Sequence, residues 1–383
     1  MADRFESSTP TARPFVEFRP LLRALGIASD TKKLILAILG LLLVWAGWSF
    51  LAWAMDPPLP WLLPIPLGFD LEAAGDLESP EFLGTPSLIV EPLKVVVTPF
   101  ASLFFKEIGL YRWFQTALMA VWAVAVWGIF GGAIARIAVV QAAVDNRVGM
   151  LSALKFALKK SSSLIGAPLT PLFAVGLFAG ACAIFGLIAR IPWSIGSTFA
   201  LVFGLVPVVL GLVMALILIG LAIGWPLMVA TVAAESEDAP DALSRSYSYV
   251  NQRLPRYVVH LIVSGLIGLI GLGLSIAFAR VVLGLADWGV TIGAGSKVPP
   301  LGGGLAFWQK VAGVIVHAWV YSYFWSSASI IYLILRRDVD GTPWHDVYLP
   351  EYDADTFAGD LDSTSPATPE KVEISADAEK TVE

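Results

Sequence analysis

The chain has little with which to cross-link itself or to do chemistry. Cysteine occurs once, at position 182, and histidine three times in 383 residues. A single cysteine makes no internal disulfide and no thiolate metal cluster. Charge is scarce as well: Asp, Glu, Lys and Arg make up 15% of the chain, where a soluble domain carries about a quarter. Much of the acidity collects at one end. Positions 351–383 hold ten acids and two lysines, a net −8, so the rest carries +2 within a total of −6. That excludes the basic face a nucleic-acid partner needs. Also missing are the short alternating segments of a membrane β-barrel. No phosphate-cradling loop and no convincing nucleophile–base pair is present, so the reading is non-enzymatic, with no cofactor. Positions 336–348 hold Asp338, Asp340, His345 and Asp346. They lack the spaced carboxylates and closing Glu of a calcium loop, so no metal is expected.

What the sequence does have is apolar runs; 57% of its residues are hydrophobic. Six stretches of 20 or more residues, near 34–54, 116–139, 171–191, 201–229, 258–281 and 311–335, have the length of membrane spans. A bilayer offers no water to backbone groups, so these runs are helices. The expected fold is an all-α integral membrane protein, a six-transmembrane-helix bundle over 34–337. The segment 1–33 precedes it, and an acidic tail, 338–383, follows. The first run ends in Ala-Trp-Ala at 52–54, which mimics a signal-peptidase site, but at 21 residues it exceeds a signal core and reads as an uncleaved anchor.

Lysine and arginine set the expected orientation. Fifteen lie in the segments before the first span, after the second and fourth, and at the end of the sixth; seven lie on the opposite side. The first side is therefore the cytoplasm and holds both termini, which places the protein in a bacterial cytoplasmic membrane. Its partners are membrane lipids, with other membrane proteins or a second copy as further candidates.

Both inner loops, 141–167 and 235–257, carry amphipathic helix patterns. In the second, Asp238 can cap a helix with Pro240 and Asp241 in its first turn. Leu243, Tyr247, Val250 and Leu254 form one apolar stripe, and Pro255 ends the helix. In the first, Leu151, Leu154, Leu158 and Ile165 share a face. Both loops follow a span ending in alanines and place Ala-Leu in the helix (Ala153-Leu154, Ala242-Leu243), a repeat with an offset of 89 residues. The outer loop 55–111 is apolar but interrupted by Pro92 and Pro99. It predicts short interfacial or re-entrant helices on the outer surface. The tail, rich in acids, Ser, Thr and Pro, predicts disorder.

The run DALSRSYSYV after a cytoplasmic turn, with Ala242, Leu243 and Ser246, resembles a bacterial superfamily of multi-pass proteins. It includes the membrane domain attached to some glycerophosphodiester phosphodiesterases, together with stand-alone relatives. GGAIARIAVVQAA at 131–143 is similar to the stand-alone members. The resemblance covers the six-span body and implies a helical bundle with an accessory role. It carries over no catalytic residue, because no polar segment here is long enough for a phosphodiesterase barrel.

The sixth span holds the sharpest polar cluster. His317, Tyr321 and Trp325 recur every fourth residue, with Ser322, Ser326 and Ser329 as a neighbouring row. An ionisable group at membrane depth costs on the order of 3 kcal/mol or more if it faces lipid, so His317 should face the bundle or a wet cavity. It is a proton or substrate site on one reading, and a hydrogen-bonded interior histidine on the other. Arg136 is placed near the inner end of the second span, as an interfacial residue or half of an ion pair. His260 is placed among headgroups. Gly176 with Gly180, Ser264 with Gly268, and Gly271 with Ser275 are spaced for helix packing. Ser264 with His317 evokes an intramembrane serine protease, but Ile262 stands where the Gly-x-Ser context needs glycine. Pro207 and Pro226 interrupt the fourth span, as in transporters or as ordinary packing devices. The leading function is an accessory, scaffold or lipid-organising component; the alternative is a transporter of a lipid or small solute using a cleft near His317.

Overall fold

The computed structural model describes residues 17–55, 88–105, 109–192, 194–294 and 304–349. Among them are ten helices and no strand: α1 Phe18–Ala28, α2 Thr31–Ala54, α3 Glu91–Phe105, α4 Leu110–Val144, α5 Met150–Lys159, α6 Ser161–Ala189, α7 Ser194–Phe203, α8 Leu205–Glu235, α9 Ala239–Ala294 and α10 Gly304–Val339. Six of these, α2, α4, α6, α8, α9 and α10, are long and apolar enough to cross a membrane. The protein is an all-α membrane bundle. Its ends are called inner and outer here by the lysine and arginine bias. Most of the acidic tail, from position 350 on, and most of the outer loop, for which disorder and surface helices are expected, lie outside the described residues.

α10 is the centre of the bundle. It packs against α1, α2, α4, α8 and α9, and 94% of its apolar window is buried, against 6% for α6 and for α8. The contrast lies in which small residues meet a neighbouring helix, since α6 is rich in glycine and alanine as well. Small residues let helix backbones approach in lipid, where apolar surface alone gives helices no reason to associate. Every residue from Gly131 to Val140 on α4 and from Gly224 to Ala234 on α8 is buried. A Cβ on Gly131 would collide with the Trp325 indole, and one on Gly40 would press within 3.1 Å of Trp127. The outer stretches of the flanking helices have few such contacts, Gly220 against Tyr247 being an exception. No residue of 176–189, 205–220 or 277–293 is buried.

The two inner loops share a local design. α4 ends at Asp145 and α8 at Ser236, both in the left-handed region (φ 57° and 59°). Short polar side chains tolerate that conformation. A helix then runs along the inner face in each case, and the buried positions match: Ala153 and Ala157 on α5, Ala242 and Ser246 on α9. The apolar stripes read from sequence are not the packed faces. Leu151, Leu158 and Leu254 are 61%, 52% and 45% exposed. Small residues let the helices sit close on the bundle, which turns larger ones toward the bilayer surface. The expected stop at Pro255 is a kink at Arg253 (φ −133°, ψ 34°), beyond which α9 continues as the fifth span.

Two segments assigned to the surroundings are built into the bundle. α1, expected to be cytoplasmic, buries Leu21, Ala24, Ile27 and Ala28, and accepts the Ser322 hydroxyl on the Ala28 carbonyl at 2.6 Å. α3, expected as an interfacial or re-entrant helix of the outer loop, packs between the middles of the spans, as a re-entrant helix does. Its Leu93 and Val96 share a cavity wall with Val124 of α4 and Leu221 of α8, and Ile89 just before it reaches Gly268 of α9.

Candidate functional site

α10 carries the candidate residues on a helix buried on all sides. His317 is 4% exposed, and Tyr321, Ser322, Trp325 and Ser326 are fully buried. The partner of His317 comes from α3: Glu91 Oε1 lies 3.2 Å from His317 Nε2, an ion pair when the ring is protonated. Glu91 sits in the first turn of α3, where a carboxylate complements the helix dipole. Below the pair, aromatic rings form a ladder. The His317 ring stacks on Tyr321 (centroids 5.5 Å apart), and Tyr321 stacks on Trp127 of α4 (4.3 Å). One turn further in, Trp325 meets Trp225 of α8 edge-on at 5.1 Å. The Tyr321 hydroxyl, the Ser326 hydroxyl and the three indole N–H groups find no hydrogen-bond partner among the described residues.

The other candidates separate from this cluster. Ser322 turns to α1, as described above. Ser264 pairs with the Tyr323 hydroxyl at 3.2 Å, and that hydroxyl donates to the Ser264 carbonyl at 2.7 Å. Ser264 and His317 therefore engage different partners, and the structure does not join them into a dyad. Gly268 faces Tyr323, and Gly271 faces Trp319 and Leu25, so both serve close packing. Gly176 and Gly180 face open space and take no part in packing within this chain. Arg136, near the inner end of α4, is covered by its neighbours. It is 1% exposed, donates to the Ala233 carbonyl at 2.9 Å, and lies 4.7 Å over the Phe156 ring. His260, expected among headgroups, is fully buried at the start of α1; its Nδ1 lies 2.7 Å from the Arg256 carbonyl, and its Nε2 accepts the Glu17 amide at 3.4 Å.

Two cavities flank α3. One, of about 380 Å³, lies between α3, α4, α6 and α8, with Leu93, Phe100, Pro168, Ala215 and Trp225 in its walls. The second, of about 220 Å³, lies between α3, α8, α9 and α10, with Leu93, Pro226, Ser264, Tyr323 and Phe324. Leu93 belongs to both, so the start of α3 stands as a wedge between them.

The inner end is ionic, and sequence reading missed it. Glu235 at the end of α8 takes Arg336 Nε at 2.8 Å, the Tyr332 hydroxyl at 2.5 Å, and Arg245 of α9. Glu17 bridges Arg256 and Arg337, and Arg256 also meets Asp338 at 2.7 Å. Tyr249 donates to Asp340. Opposite charges in neighbouring loops were the available signal, but their pairing depends on three helices ending together. Comparisons with protein-family models, curated proteins and solved structures find no match for this chain.

Proposed function

We propose that the protein is a non-enzymatic component of a bacterial cytoplasmic membrane, with both termini cytoplasmic, acting as an accessory, scaffold or lipid-organising element. The observation that carries this reading is the contrast between α10, packed and ion-locked, and the bare outer stretches of α6, α8 and α9. A sealed interior gives the molecule rigidity. A broad apolar flank gives lipids, another membrane protein or a second copy a surface to lie against. The resemblance to an accessory membrane domain agrees with it. Complementation tests the reading. His317→Gln retains an amide donor facing Glu91 and should restore the phenotype of a deletion strain. Loss of that phenotype at normal protein level and melting temperature would overturn it. The topology has its own test: an impermeant thiol reagent applied to intact cells should label a cysteine at position 303 and spare one at 253.

The second reading is a transporter of a lipid or small solute. The observation in its favour is that two cavities meet at Leu93 beside the Glu91–His317 pair. Failure of the His317→Gln complementation would support it.

A further inference from the structure

We propose that Glu91 and His317 form an intramembrane proton-binding site, and that uptake of a proton there frees the re-entrant helix α3. Little besides one polar contact holds α3 at its depth. Its neighbours in both cavities are almost wholly apolar, and space lies on either side of Leu93. Apolar contacts of that kind do not fix a short helix at one depth, because lipid offers equivalent surroundings. The Glu91–His317 pair is a polar tether to α10.

A tether of this chemistry depends on its proton count. With one proton between them, carboxylate and imidazole are neutral as a pair, whichever atom holds it. A second proton leaves Glu91 as a neutral acid beside an imidazolium whose charge has no counterpart. An isolated charge at membrane depth is costly, because lipid offers it no solvation. Withdrawing Glu91 and letting water reach the ring relieves that cost. Proton binding and release of α3 are therefore linked, and each favours the other.

The surroundings leave the pair to set its own charge. Tyr321 lies beneath the imidazole on α10, Lys310 is exposed two turns before it, and Lys94 is exposed three residues after Glu91 on α3. Asp30, at the α1–α2 corner, is turned to the start of α2, where it accepts the Lys32 amide at 3.0 Å. At this depth the described residues of α2, α4, α8 and α9 contribute aromatic, aliphatic and serine side chains. The inference holds under either reading of function: a gate on the cleft for a transporter, a switch of shape for a scaffold.

Distance measurement in the full-length protein tests it. Cys182→Ser removes the native thiol, and nitroxides at Val97→Cys on α3 and Leu216→Cys on α8 report the separation by pulsed electron paramagnetic resonance in lipid nanodiscs. The pH is stepped from about 9 to about 4.5, across the ordinary imidazole and carboxyl ranges. One distance is expected at neutral and higher pH, with a second, longer population growing as the pH falls. The double variant Glu91→Gln with His317→Gln should give a distribution that does not change with pH. A distribution in the labelled parent that stays constant over the range overturns the proposal, as does the same pH response in the double variant. Should the double variant not fold, the parent's profile decides alone.

Discussion

The inner and outer halves of this bundle are built from similarly apolar helices and end up with different structures. On α8 the stretch 205–220 has no buried residue, whereas Gly224 to Ala234 is buried throughout. Apolar character puts both in a membrane and says nothing about which will pack. Both halves carry small residues; the inner half differs in that they meet a neighbouring helix, as Gly131 meets Trp325, and in a set of charges that meet: Glu235 with Arg336 and Arg245, Glu17 with Arg256 and Arg337. Insertion is decided by hydropathy, and association by size and polarity.

The comparison can be broken most directly at Glu235. Glu235→Ala leaves the Arg336 and Arg245 guanidiniums and the Tyr332 hydroxyl without their carboxylate, and should cost about 3–5 kcal/mol. Thermal unfolding in nanodiscs would measure it; a small loss would mean that the ionic inner end is ornament. A matched glycine pair sharpens the point. Gly131→Ala drives a methyl group into Trp325 and should cost about 1–3 kcal/mol, while Gly180→Ala, facing open space, should be neutral or slightly stabilising. His317→Leu strands Glu91 and should cost on the order of 1–3 kcal/mol, with His317→Gln clearly milder. Smallest of all, Leu216→Ala on the outer flank (60% exposed) should stay within about 0.5 kcal/mol. A large effect there would mean that the flank is covered by something intrinsic to the fold.

Much of the fold was legible in the sequence, because span length and hydrophobic content are local properties. All six spans were, but the helix end expected at Pro255 is a kink at Arg253 within one continuous helix. The stripe His317–Tyr321–Trp325 was readable from its period alone. Its partner was not: Glu91 lies in what reads as an outer loop, and nothing local ties it to His317. A signal did exist. A lone carboxylate followed by Pro92, within an apolar stretch, marks a helix start at a depth where a charge needs a partner. α1 was missed for a related reason, since its basic residues Arg19 and Arg23 suggested only a cytoplasmic leader. That Arg136 and His260 are buried was not readable either, because sequence shows a residue's position along a span but not the helices that cover it.

The central place of α10 bears on how the protein is made. α10 follows the other five spans in the chain and is the least apolar of the six. A nascent chain that has inserted the first five holds Glu235 and Arg256 at the membrane without the helix that completes their setting. The insertion machinery must therefore pass α10 sideways into a site its predecessors have already shaped, with the serines and His317 shielded by them on arrival. A ribosome stalled before position 304 would release an intermediate with exposed polar groups inside the bilayer. Membrane-bound proteases recognise such intermediates, so steady-state abundance should depend on the final helix more steeply than on any other.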